Sequence, residues 1–216
     1  MISIFDLVIG IIFIFLLYRY YLIRKLYKDE TESNLSGCEV GNKILDNNKL
    51  DNIYIVKTSN PFEEGYESGR KVIRLSKDVF DGESLIYNIL VAKECSYSIL
   101  DKRNDKLFKV RNLFSKVINI LIYLCYICII VCSILKNLYL LRISIIILTI
   151  IIMYHFIFIN LENKCNSLSI KQLKKINIIN DDNIDKVNDI MNSLKYSYIT
   201  NPINLVHKII IYLFKK

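Results

Sequence analysis

Three long stretches almost free of charge constrain this chain more than anything else in it. Residues 2–18 carry one charged side chain, Asp6, and residues 117–135 carry none. Residues 138–159 carry Arg142, with His155 further along. Each stretch has the length, about 17–25 residues, with which an α-helix crosses a bilayer. The chain as a whole agrees, with 53% hydrophobic residues and a mean hydropathy of +0.32. The expected fold class is therefore mostly α and integral to the membrane, with three transmembrane helices and a small cytoplasmic α+β domain. The expected division is an anchor over 1–23, the α+β domain over 24–116, a membrane hairpin over 117–159 and a cytoplasmic C-terminal region over 160–216. Residues 19–25 contain no small-residue cleavage site, so the first stretch reads as an uncleaved anchor.

Charge placement supports the same topology. The net charge is +8. Arg19, Arg24, Lys25 and Lys28 follow the first apolar stretch, and Lys102, Arg103, Lys106, Lys109, Arg111 and Lys116 precede the second. Lys164, Lys171, Lys174 and Lys175 follow the third. If the stretches alternate across a bilayer, all three groups fall on one side, which the positive-inside tendency makes cytoplasmic. The expected location is thus the cell membrane, multi-pass, with the soluble domain inside. The basic excess is accounted for by membrane lipid rather than by nucleic acid. The apolar run 203–214 is short for a span and reads as an interfacial or re-entrant helix. Cys125, Cys128 and Cys132 share a helix face at i, i+3 and i+7. That strip is either a thiolate metal site or, preferably, a seam of small residues where helices pack.

Between the first two apolar stretches the pattern changes. Ser36 and Glu39 make a capping box for a helix running to about Asn48. Residues 53–57 and 71–76 read as strands, with a Gly- and Glu-rich loop over 59–69. Residues 84–100 then form a helix whose Ile86, Ile89, Leu90, Tyr97 and Leu100 share one face at about 100° per residue. Lys93 stands in the middle of that face and Glu94 at its edge. A lysine there needs a partner, because an unpaired buried ammonium costs several kcal/mol, of order 3 or more.

Five blocks in order carry a resemblance: SGCEVGNKILD at 36–46, KVIRLSKDVF at 71–80, SLIYNILVAKEC at 84–95, a membrane hairpin, and NLENKCNS at 160–167. Together they resemble the bacterial membrane-bound neutral zinc metallopeptidases. That family's third block reads Val-Ala-x-His-Glu-x-Gly-His-Ala, in which two imidazoles one helical turn apart bind zinc and the glutamate activates the metal-bound water. Here the same positions read Lys93-Glu94-Cys95-Ser96-Tyr97. Both histidines are replaced, by Lys93 and Tyr97, and Glu94 alone keeps the general-base position. The family's Asp-His-Tyr-Asp block is matched by Glu64-Gly65-Tyr66-Glu67, so Gly65 marks a third lost histidine. Glu162 matches the carboxylate that would be the third zinc ligand.

The resemblance thus implies a zinc metallopeptidase scaffold with a degenerate site. Zinc is expected for the family but not for this chain, because a lysine ammonium offers no lone pair. The expected role is a non-catalytic pseudopeptidase that binds a peptide or a membrane-protein partner. The competing expectation is an active membrane peptidase with non-standard ligands. Lys93 is expected to pair with Glu162, taking the place of the metal charge. Cys95 as a nucleophile is a further, weaker reading, since it lies opposite the apolar face.

Overall fold

The structure is a computed structural model that describes residues 33–59, 64–180 and 183–195, together with Tyr18, Tyr21, Leu22 and Lys25. Helix α1, Gly37–Asn47, begins at a complete capping box. The Ser36 backbone N–H donates to Glu39 Oε2 at 2.8 Å, and the Glu39 N–H donates to Ser36 Oγ at 3.4 Å. Two otherwise orphaned helix donors are thereby satisfied. Val40, Ile44 and Leu45 turn the helix's inner face to the core.

Three strands follow: β1 (Tyr54–Thr58), β2 (Gly65–Glu67) and β3 (Val72–Ser76). They form one sheet in the order β1-β3-β2. β1 pairs parallel with β3, with Tyr54 opposite Val72, and β2 pairs antiparallel with it, with Tyr66 opposite Ile73. Ile73 and Leu75 of the middle strand are buried. β2 falls inside the stretch that reads as loop in the sequence. Three residues are too few to show an alternation.

A short helix, α2 (Lys77–Asp81), leads into α3 (Leu85–Lys102). α3 is buried nearly all round rather than along one stripe, as befits a helix with neighbours on every side. α1 crosses it closely at Gly41, where a Cβ would sit 2.9 Å from Val91 Cγ1 and 2.3 Å from Ile55 Cδ1. Any side chain at 41 would require Ile55 and Val91 to shift. α4 (Lys106–Ile134), α5 (Leu138–Ile157), α6 (Ile159–Lys175) and α7 (Ile184–Leu194) complete the described elements.

The chain divides into two compact units. One comprises residues 24–110 and 160–195, with a core drawn from α1, the sheet, α3, α6 and α7. The other comprises 1–23, 111–159 and 196–216. In the latter, Ile122, Cys125 and Ile151 form the buried seam of the α4–α5 hairpin.

The expected three membrane-spanning helices and multi-pass membrane location are corrected by these elements. Among the described residues no single helix is long and apolar enough to cross a membrane. α4 starts at Lys106, within a basic segment, not at Val117 where its apolar run begins. Only across a 44° bend do Lys106–Ser115 and Ile120–Cys132 together reach the length and composition of a span. Within α5, the apolar segment among the described residues is Leu138–Ile151, shorter than a span requires. The mostly helical character stands, with a small three-stranded sheet. The first apolar stretch (apart from Tyr18) and the run 203–214 lie outside the described residues.

Candidate functional site

α3 carries Lys93, Glu94 and Tyr97 at its middle, so that 93 and 97 lie one turn apart on one face while Glu94 turns toward the sheet. α6 brings Glu162 in its first turn. The Lys93 Nζ lies 2.9 Å from Glu162 Oε2, and the Tyr97 hydroxyl donates to Glu162 Oε1 at 2.6 Å. Both carboxylate oxygens are therefore engaged by the two residues that replace the motif histidines. The Lys93 and Glu162 side chains are each only 5% exposed. The Lys93 ammonium also donates to the Leu194 carbonyl at the end of α7, at 3.2 Å. A buried charge is tolerated when it is paired, and the Glu162 carboxylate pairs this one. The expected pairing of Lys93 with Glu162 is present in the structure.

Glu94 points elsewhere. Its Oε2 accepts the backbone N–H of Tyr66, in β2, at 2.8 Å. Gly65 makes that approach possible: it has φ +119°, and a Cβ there would lie 3.3 Å from Glu94 Oε2. Phe108 packs over the site, its ring 6.0 Å from that of Tyr97 and 6.3 Å from that of Tyr66.

One turn beyond Tyr97, Asp101 gathers three donors onto Oδ2: Tyr66 Oη at 2.8 Å, Ser68 Oγ at 2.7 Å and Lys71 Nζ at 2.6 Å. Burial works to raise its pKa, but the bonds from Lys71, Ser68 and Tyr66 prevail and hold the carboxyl below the usual range. Burial, and then the carboxylate of Asp101, push the Tyr66 phenol upward. Asp101 escaped the sequence reading, although its i+4 spacing from Tyr97 could have suggested it. Leu194 contributes through a main-chain carbonyl, for which no sequence signal exists.

Cys95 is buried on the opposite face of α3, with its Sγ 3.8 Å from the Gly41 carbonyl. Burial pushes its thiol far upward, so it is not the reactive thiolate that a nucleophile requires. Cys125 and Cys132 are buried and Cys128 is exposed.

The residues do not fit zinc. At the two imidazole positions stand an ammonium, which has no lone pair, and a phenol that donates its proton to Glu162. The Glu162 carboxylate faces them, and both of its oxygens are engaged. Among the described residues no group of three His, Cys, Asp or Glu side chains is placed to hold a metal ion.

A family model described as "Putative neutral zinc metallopeptidase" matches residues 2–215, and the chain belongs to that family. No curated protein matches the chain, and no solved structure matches it.

Proposed function

We propose that this member of the neutral zinc metallopeptidase family is non-catalytic, and that it binds a peptide or protein segment without cleaving it. One observation carries the reading: the Lys93 ammonium sits on Glu162, with Tyr97 on the other carboxylate oxygen, where the family's motif calls for a zinc ion. A metal entering there would meet a fixed positive charge at close range, and Coulomb repulsion in a buried site is strong. Glu94 supports the same reading. One oxygen of the carboxylate that would activate a metal-bound water accepts the Tyr66 N–H instead. The binding role rests on what remains, a family scaffold with β2 at the edge of its sheet beside the motif helix.

Metal analysis of the purified full-length protein, alongside cleavage of casein and of a mixed peptide library, tests the proposal. The expected result is zinc far below one equivalent and no cleavage above a Glu94→Ala control, with added zinc changing neither. Stoichiometric zinc that disappears in Glu162→Ala, together with cleavage that disappears in Glu94→Ala, would establish instead an active peptidase with non-standard ligands. For the binding role, crosslinking in cells that recovers no partner above a scrambled-surface control would count against it.

A further inference from the structure

Lys93 does more than neutralise Glu162. Its ammonium, carried by α3, touches groups from two other helices: the Glu162 carboxylate of α6 at 2.9 Å and the Leu194 carbonyl of α7 at 3.2 Å. Tyr97 closes the arrangement from α3 at 2.6 Å. α7 has a further polar tie, from Asn166 Nδ2 to the Met191 carbonyl at 3.0 Å. Both α7 carbonyls belong to its last turn, where helix C=O groups attract positive charge; that of Met191 also accepts the Lys195 N–H at 3.1 Å. The ammonium meets two oxygens, one from a carboxylate and one from a carbonyl, while the Tyr97 phenol holds the other oxygen of that carboxylate.

We infer that the Lys93 ammonium is a built-in cation that does the cross-linking work of a bound metal ion, fastening α7 and α6 onto α3 at one point. The inference rests on the metal-free reading above and deepens it by assigning the site a structural role. It also defines the ligand class the site would take if the side chain were removed. Trimming Lys93 to alanine deletes three methylenes and the ammonium, which together have the shape of n-propylammonium. The oxygen-lined space left behind is suited to a primary alkylammonium ion.

Three full-length variants test this by thermal unfolding and amide exchange. Lys93→Met keeps the volume and removes the charge; it should lower Tm by about 10 °C or more, because one half of a buried ion pair is left alone. In the same variant, amide exchange over residues 190–194 should rise about ten-fold or more while α1 stays protected, as local release of α7 requires. A lysine that served only as filling would move neither. Lys93→Met with Glu162→Met should recover at least half of the lost Tm, since no orphaned charge remains. Lys93→Ala should gain stability saturably from n-propylammonium, but not from 1-propanol or from sodium chloride at equal ionic strength. Should Lys93→Ala fail to fold, n-propylammonium included during refolding should raise its yield, again with 1-propanol inert. A Lys93→Met protein within about 2 °C of the parent, or a Lys93→Ala protein indifferent to the amine, would overturn the inference. Zinc found in the parent protein would overturn the metal-free reading separately, leaving the Lys93 series to report on the ammonium alone.

Discussion

Glu94 shows how one residue changes employment while its position stays fixed. In the metallopeptidase motif a glutamate at this place faces a metal-bound water, whereas here its Oε2 holds the Tyr66 N–H at 2.8 Å. An amide oxygen can accept that bond nearly as well. Glu94→Gln should therefore leave the urea midpoint close to that of the parent, while Glu94→Ala, which strands the donor, should cost about 1–2 kcal/mol. If both variants lose equally, charge rather than acceptance is what β2 needs. Gly65 is tied to the same contact. At φ +119° a side chain is strained, and a Cβ would stand 3.3 Å from the Glu94 oxygen. Gly65→Ala is expected to lose about 1–3 kcal/mol in the same urea series, and a neutral result would mean the strand adjusts freely. Lys93, Glu94, Tyr97, Gly65 and Glu162 were all legible as positions in the sequence. The use made of Glu94 was not, because it depends on a three-residue strand that no periodicity announces.

Among the elements, helices with strong signals were read closely and short or polar ones were not. The capping box located α1, and apolar spacing located α3, which runs two residues beyond its expected end. β1 and β3 fall within a residue of the expected strands. α6, Ile159–Lys175, carries no comparable signal, because its polar first turns are buried by contact rather than marked by hydrophobicity. Besides the Glu94 contact, the sheet holds α3 through Asp101, whose Oδ2 takes bonds from Tyr66 in β2 and from Ser68 and Lys71 in the turn before β3. Because the folded carboxyl titrates below its unfolded value of about 3.9, the contribution is complete above that pH. It is lost as pH falls through the lower, folded value. Lys71 is 43% exposed, so screening limits the whole cluster to about 1 kcal/mol. Asp101→Asn should accordingly be less stable than the parent at pH 7. The two urea midpoints should converge as pH drops below about 4; parallel curves across that range would show that the charge on Asp101 contributes nothing.

At the scale of the whole molecule, the sequence reading failed where it turned apolar runs and basic clusters into a topology. Several of the lysines assigned to one side of a bilayer have local employment instead. Lys102 Nζ donates to the carbonyls of Asn48 and Lys49, and Lys164 pairs with Asp105 at 3.0 Å. The Lys164–Asp105 pair has a second consequence. It joins the two chain segments of the unit formed by 24–110 and 160–195, just where residues 111–159 leave and return. Phe108 adds an apolar clasp there by packing on Tyr97. Among the described residues, the core of this unit, from Val40 and Ile73 through Ile89 to Leu173 and Ile190, includes none from 111–159. Those residues instead leave large side chains open, Leu113 at 72% and Ile134 at 74% exposure among them. Apolar surface on that scale promotes association in water. Replacing residues 111–159 by a Gly/Ser linker of about eight residues, with a reach of roughly 15 Å, should therefore leave a chain that folds. It should unfold cooperatively in urea, keep dispersed amide resonances for α1, the sheet and α3, and remain monomeric at concentrations where the parent associates. The decisive comparison is the Lys93→Met substitution made in both backgrounds. An equal loss of stability in the shortened and parent chains would establish that the ammonium site is complete within its own unit, whereas a loss confined to the parent would mean that residues 111–159 take part in holding it together.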